Sequence, residues 1–123
     1  MKPLVWVATS LADLREFPDE VRQVIGYALY LAQVGQKHLD AKPLKGFGGA
    51  GVLEVVEDFD GNAYRAVYTV KLAGVVYVLH AFQKKSKKGI KTPLSELDKV
   101  RARLRIAEEL HKAMQQEDSD ERK

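Results

Sequence analysis

The stretch Val52-Leu53-Glu54-Val55-Val56-Glu57, with Asp58-Phe59-Asp60-Gly61-Asn62, Tyr64 to Leu72, Ala73-Gly74 and Val75 to Gln83 behind it, decides the fold. Three runs rich in β-branched and aromatic residues are separated by Asp-Gly and Ala-Gly, and both dipeptides are hairpin signals. The expectation is an antiparallel meander of three strands. Upstream, Leu4 to Thr9 partly alternates Val5 and Val7 against Leu4 and Trp6, which adds a fourth strand. Ser10-Leu11-Ala12-Asp13 then has capping-box-like spacing and starts a short helix. Phe17-Pro18 interrupts it, and Pro18 suits the first turn of a second helix whose dipole Asp19 and Glu20 complement. In that helix Val21, Val24, Ile25, Ala28, Leu29 and Ala32 form one apolar stripe, read as core packing, and Gly35 ends it.

Downstream, Thr92-Pro93 opens a last helix, with Thr92 as N-cap and Leu94, Leu97, Val100, Leu104, Ala107 and Leu110 as its apolar face. Gly46, Gly48, Gly49 and Gly51 surround Phe47 in a mobile connection. Their spacing matches neither GxGxxG nor a P-loop, so they read as a hinge or turn. The order β, α, α, β, β, β, α is an α+β layout: two N-terminal helices on one face of a small antiparallel sheet of about four strands, plus a C-terminal helix. The opposite face, partly crossed by that last helix, has room for a groove. Residues 1–114 are expected to form a single domain, and residues 115–123 a polar, disordered tail.

A chain of 123 residues that is 46% hydrophobic and 30% charged suits one core and is too short for two. The absence of cysteine excludes a disulfide framework and a Cys-based zinc site. His38, His80 and His111 are far apart and lack helical HxxxH spacing, so no metal site and no cofactor are expected. The apolar N-terminal run is broken by Ser10 and Asp13, too early for a signal peptide or a spanning helix. The setting this implies is cytoplasmic, without membrane contact.

The net charge of +3 conceals an asymmetry. Residues 84 to 105 hold nine of the 20 Lys and Arg and only two of the 17 acids, a local net of +7, while the remainder carries −4. One strongly positive region on a mildly acidic body points to a polyanionic partner, and RNA is the expected one. Lys84 and Lys85 end the last strand, where neighbours face opposite ways, so one of them at most points into a given groove. Lys84 shares its parity with Phe82 and His80. His80 titrates in the right range for acid or base work but is more often, in such a strand, a hydrogen-bonded core residue. Tyr64, Tyr68 and Tyr77 read mainly as sheet packing, with base stacking open to one of them.

Three stretches carry a resemblance: Pro43-Leu44-Lys45-Gly46, Tyr64-Arg65-Ala66-Val67-Tyr68, and Val78-Leu79-His80-Ala81-Phe82-Gln83-Lys84-Lys85-Ser86 with Lys91-Thr92-Pro93. Over roughly residues 4 to 110 they resemble the phage-derived branch of the RelE/ParE superfamily, the HigB-type toxins of bacterial toxin–antitoxin pairs. The resemblance implies a RelE-like fold and a compact endoribonuclease that cleaves mRNA on the ribosome without metal, by attack of the 2′-hydroxyl. It implies inhibition by a co-encoded antitoxin, commonly a helix-turn-helix protein. Arg65 would be the transition-state clamp on the phosphate, with an ion pair to Glu54 or Glu57 as its structural alternative. Lys84 or Lys85 would add charge and His80 a proton-transfer group, with Lys45, Lys87, Lys88 and Lys91 on RNA phosphates.

Two positions depart from the pattern. Where members of that family often carry Glu-Leu-Arg, this chain has Glu54-Val55-Val56, and Ser86 to Thr92 contains neither Tyr nor His. The resemblance therefore assigns no proton acceptor. The same basic window would equally serve a non-enzymatic nucleic-acid or ribosome-binding protein, or a ParE-like topoisomerase inhibitor, because phosphate attraction carries no information about cleavage.

Overall fold

The structure is a computed structural model, and it describes residues 1–49, 51–84 and 92–121. The elements follow as β1 (Leu4–Trp6), α1 (Ser10–Arg15), α2 (Asp19–Gln33), β2 (Ala41–Pro43), β3 (Val52–Phe59), β4 (Asn62–Thr69), β5 (Val76–Lys84) and α3 (Leu94–Glu121). The expected α+β fold is present, with a sheet of five strands in the order β1-β5-β4-β3-β2.

The meander forms because its first turn is chemically dictated. Asp60 and Gly61 have φ of +51° and +80°, the two left-handed positions of a two-residue hairpin turn, and they close the pair Phe59 and Asn62. Two features of the sheet differ from expectation. β2 is a fifth strand inside the glycine-containing connection, antiparallel to β3 through Ala41 to Val55 and Pro43 to Leu53. Three residues ending in Pro carry no periodic signal, and Pro is tolerated there because β2 is an edge strand. β1 joins β5 in parallel, Leu4 opposite Val76 and Trp6 opposite Val78. Gly51 is required where it stands: a Cβ there would meet Lys71 Cβ at 2.7 Å.

α2 buries Val21, Ile25, Ala28, Leu29 and Ala32 against one sheet face, together with Leu14 and Phe17 from the α1 region and Tyr64, Ala66 and Tyr68 from β4. Gly35, at φ +83°, terminates it, with Gly35 N–H donating to Ala32 O (3.1 Å) and Gln36 N–H to Leu31 O (2.7 Å). Ser10 is the first residue of α1 rather than its cap. Buried, it donates to Val78 O at 3.1 Å, and exposed Thr9 donates to Asp13 Oδ2 at 2.8 Å.

α3 covers the other face through Leu97, Val100, Leu104 and Ala107, packed on Val52, Val67, Tyr77 and Leu79. The next position of that stripe is His111, buried, whose Nδ1 lies 2.9 Å from Tyr77 Oη. Leu94 and Leu110, expected on this face, are exposed instead. The tail from Gln115 also differs from expectation, since α3 runs on to Glu121. Gln115, Gln116 and Glu117 are good helix formers, so low hydrophobicity alone did not stop the helix.

Thr92 is not the cap of α3. Glu96 N–H and Leu97 N–H both donate to Pro93 O at 3.0 Å, which leaves the Thr92 hydroxyl for the sheet.

Candidate nucleic-acid interface

Strand register selects the residues that share the α3 side. Val56 pairs with Arg65 and Arg65 with Phe82; Glu54 pairs with Val67 and Val67 with His80; Ala63 pairs with Lys84. Paired residues point to the same face, so Glu54, Arg65, His80, Phe82 and Lys84 line one surface. A bulge assists: Val67 faces His80 but Tyr68 faces Val78, which leaves Leu79 as an extra residue. Tyr77 and Leu79 before it, and His80, Phe82 and Lys84 after it, therefore all project toward α3. Lys84, the last residue of β5, is on the Arg65 face. Lys85, Lys87, Lys88 and Lys91 lie outside the described residues.

Arg65 is buried at 6% exposure. Its Nη1 donates to Glu54 Oε1 and to Thr92 Oγ1, both at 3.1 Å, and Thr92 Oγ1 donates to Glu54 Oε2 at 2.7 Å. The ion pair weighed as the structural alternative for Arg65 is present, and it sits at the wall of a pocket. A cavity of about 270 Å³ is lined by Lys42, Lys45, Glu54, Arg65, Thr92 and Leu97, among others. Lys45 is presented by a loop fastened at both ends: Leu44 N–H donates to Val52 O at 2.9 Å, and the Arg101 guanidinium lies 5.2 Å from the Phe47 ring centre. Among the described residues, three basic side chains thus converge on one concave site whose single carboxylate is Glu54. Such a site suits a phosphodiester: the guanidinium for bidentate contact, the exposed lysines for the neighbouring phosphates.

His80 is 3% exposed and has both ring nitrogens engaged. Arg103 Nη1 donates to Nδ1 at 2.7 Å and also to Leu79 O at 3.2 Å, while its Nη2 donates to Thr9 Oγ1 at 3.1 Å. A guanidinium has only donors, so Nδ1 is an acceptor and Nε2 carries the proton, donated to Glu96. Phe82 stacks on the ring at 4.9 Å. Burial pushes the imidazole below its ordinary value, opposed by the Glu96 hydrogen bond and reinforced by Arg103. His80 is held neutral as a joint between β5, α3 and the start of α1.

That joint has a pH signature. The folded state resists protonation that the unfolded chain accepts near pH 6.5, so stability is full above that value and is lost as pH falls through the lowered folded pKa. Thermal unfolding followed from pH 7.5 to 5 should show a decline below about pH 6.5. In His80→Gln that part of the slope should vanish.

Tyr64, Tyr68 and Tyr77 are packed in the sheet faces and are not presented as base platforms. Tyr64 meets Phe17 edge to face at 4.9 Å, Tyr68 is wholly buried with its phenol pushed up to about 12 by burial, and Tyr77 holds His111. Lys42, Glu96 and Arg103 escaped the sequence reading as site residues, and Thr92 reads there as a helix cap. A partial signal existed for Glu54 alone, whose parity on β3 places it with Val52 and Val56 on a packed face. Among the described residues no group of three or more His, Cys, Asp or Glu is placed to hold a metal ion. No helix among them is long and apolar enough to cross a membrane.

The five-stranded α+β sheet with its C-terminal helix is a RelE-type fold, and comparison also places the chain in a family. Residues 12–105 match the family described as phage derived protein Gp49-like, and the chain belongs to that family. Among solved structures it is similar to the isolated E. coli RelE toxin, with a TM-score of 0.54 and 19% identity over 72% of this chain and 89% of that one. That likeness is one of fold. No curated protein matches the chain.

Proposed function

We propose that this protein is the toxin of a toxin–antitoxin pair, HigB-like, and an endoribonuclease that cleaves mRNA on the ribosome. The observation that carries this reading is the strand register that puts Arg65 and Lys84 on one face beside the Lys42 and Lys45 pocket. In the proposed reaction the ribose 2′-oxygen attacks the adjacent phosphorus, the bond to the 5′-oxygen breaks with that oxygen taking a proton from water to leave as a 5′-hydroxyl, and a 2′,3′-cyclic phosphate is left. Arg65 and Lys84 offset the charge that builds on the phosphoryl oxygens. His80 is not the base, because accepting a proton at Nδ1 would set it against the Arg103 guanidinium. The carboxylate in place is Glu54: a phosphate drawn onto Arg65 competes with it for the guanidinium, and the released oxygen can take the 2′ proton. Neutralisation of the basic surface by a helix-turn-helix antitoxin would inhibit it.

The test is a translating extract supplied with purified, antitoxin-free protein. Cleaved mRNA with 2′,3′-cyclic or 3′-phosphate ends is expected, and Lys84→Ala should slow cleavage by about tenfold or more. Intact mRNA under active translation would sink the reading. Stalled translation with whole mRNA would identify a ribosome-binding protein, and DNA damage on expression a topoisomerase inhibitor.

A further inference from the structure

α3 carries a second apolar stripe beside the one it packs on the sheet. Ile106, Leu110 and Ala113 are exposed, the first two at 46% and 43%, and with Arg105 and Glu109 they line a shallow groove of about 370 Å³. The stripe continues through Arg103 to exposed Lys99 in one direction and to exposed Glu117 in the other, all inside the helix. The positions 99, 103, 106, 110, 113 and 117 alternate steps of four and three, the heptad seam of paired helices. Leu97 and Arg101, which border the Arg65 pocket and its loop, fall on the opposite flank of α3 at roughly 100° per residue.

Charge is polarised along the same helix. Residues 99–105 hold Lys99, Arg101, Arg103 and Arg105 without an acid, a net of +4, and residues 108–118 hold Glu108, Glu109, Glu117 and Asp118 against Lys112, a net of −3. This order runs against the helix dipole, which favours acids at the start and bases at the end, and the last turn contains no base. Lys99 and Glu117 are about 27 Å apart along the axis, well beyond the screening length, so the two ends do not neutralise each other within one chain. A reversed neighbour brings them together.

We propose that this seam is the interface with a second copy of the chain, the two α3 helices packing antiparallel about a twofold axis level with Glu108. In that register Ile106 meets Leu110 of the second copy, Arg103 meets its Ala113, and Lys99 meets its Glu117, each contact made twice. The Arg103 guanidinium is drawn off the seam to His80 and Leu79 O, so a small residue opposite it suits the packing. Lys99 lies 3.7 Å from Glu96 in its own chain, an i,i+3 surface pair that contributes little and leaves the ammonium half exposed. A parallel pair would set Lys99 against Lys99 and Glu117 against Glu117. Nucleic acid fits the seam poorly, because its centre is apolar and its far half acidic. With the Arg65 pocket on the other flank, this interface stands or falls independently of the proposed nuclease activity.

Sedimentation equilibrium of the purified full chain, up to about 100 μM, tests it. A monomer–dimer equilibrium is expected, with Leu110→Glu raising the dissociation constant about tenfold or more at unchanged circular dichroism. Lys99→Glu and Glu117→Lys should each weaken the dimer, and the double variant Lys99→Glu/Glu117→Lys should restore most of it. A chain that remains monomeric over that range, a dimer indifferent to these changes, or a seam covered solely by a different protein overturns the proposal.

Discussion

Arg65→Ala should lower mRNA cleavage by at least about a hundredfold, the scale seen when one preorganised charge donor is removed from a transition state. Arg65 is the proposed phosphate clamp, and its position is enforced from three sides: Val56 and Phe82 flank it in the register, and Glu54 and Thr92 hold its Nη1. Loss of activity by unfolding has to be separated from loss of chemistry, because removing Arg65 leaves Glu54 half-buried without its counter-ion. Arg65→Lys supplies the control. It retains the charge but not the planar fork, so it should stay folded by circular dichroism while cleaving well below the parent rate. Full cleavage by Arg65→Lys would mean that the guanidinium does not grip the phosphate, and the proposed role would fail.

The second large effect is on stability. Glu54→Ala should destabilise the fold by about 3–5 kcal/mol, because it removes the carboxylate paired with a buried guanidinium. The Glu54 and Arg65 side chains are 13% and 7% exposed, well inside the range where breaking a pair costs more than the pair contributes. Glu54→Met combined with Arg65→Met, which removes both charges and keeps the volume, should fall within about 1 kcal/mol of the parent or exceed it. Urea unfolding of the four proteins in a double-mutant cycle measures this directly. If Glu54→Ala alone cost less than about 1 kcal/mol, the pair would behave as a solvated surface bridge, and the pocket would be more open to water than the burial indicates.

The same pair bears on how the site works. In the free protein Glu54 occupies the guanidinium edge that a phosphate would use, with its second oxygen held by Thr92. In the proposed function, substrate binding is an exchange of one anion for another. That exchange also frees the carboxylate in the proposed proton transfer.

Much of this was legible in the residues alone, wherever the signal is local. The Asp60-Gly61 turn needs two left-handed residues and has the two types that tolerate them, so the β3–β4 hairpin is visible in the string. The stripe from Val21 to Ala32 has helical period, and Gly35 stops it in the conformation glycine favours. The RelE-type order of elements and the concentration of charge between residues 84 and 105 are likewise properties of sequence.

Tertiary structure decided what depends on partners distant in the chain. β2 has no propensity of its own and exists because β3 offers it an edge. The place of Lys84 on the Arg65 face rests on pairing between β4 and β5. The Leu79 bulge, which keeps both Tyr77 and His80 toward α3, leaves no mark in the alternation of apolar residues. Thr92 reads as a helix cap, and its hydroxyl goes instead to Glu54, 38 residues away, where it joins the part-buried pair with Arg65, while an exposed helix N-terminus can be hydrated by water. Turns and helix ends are governed by neighbours in the chain; strand faces, buried ion pairs and the state of His80 are set by whatever the fold brings against them.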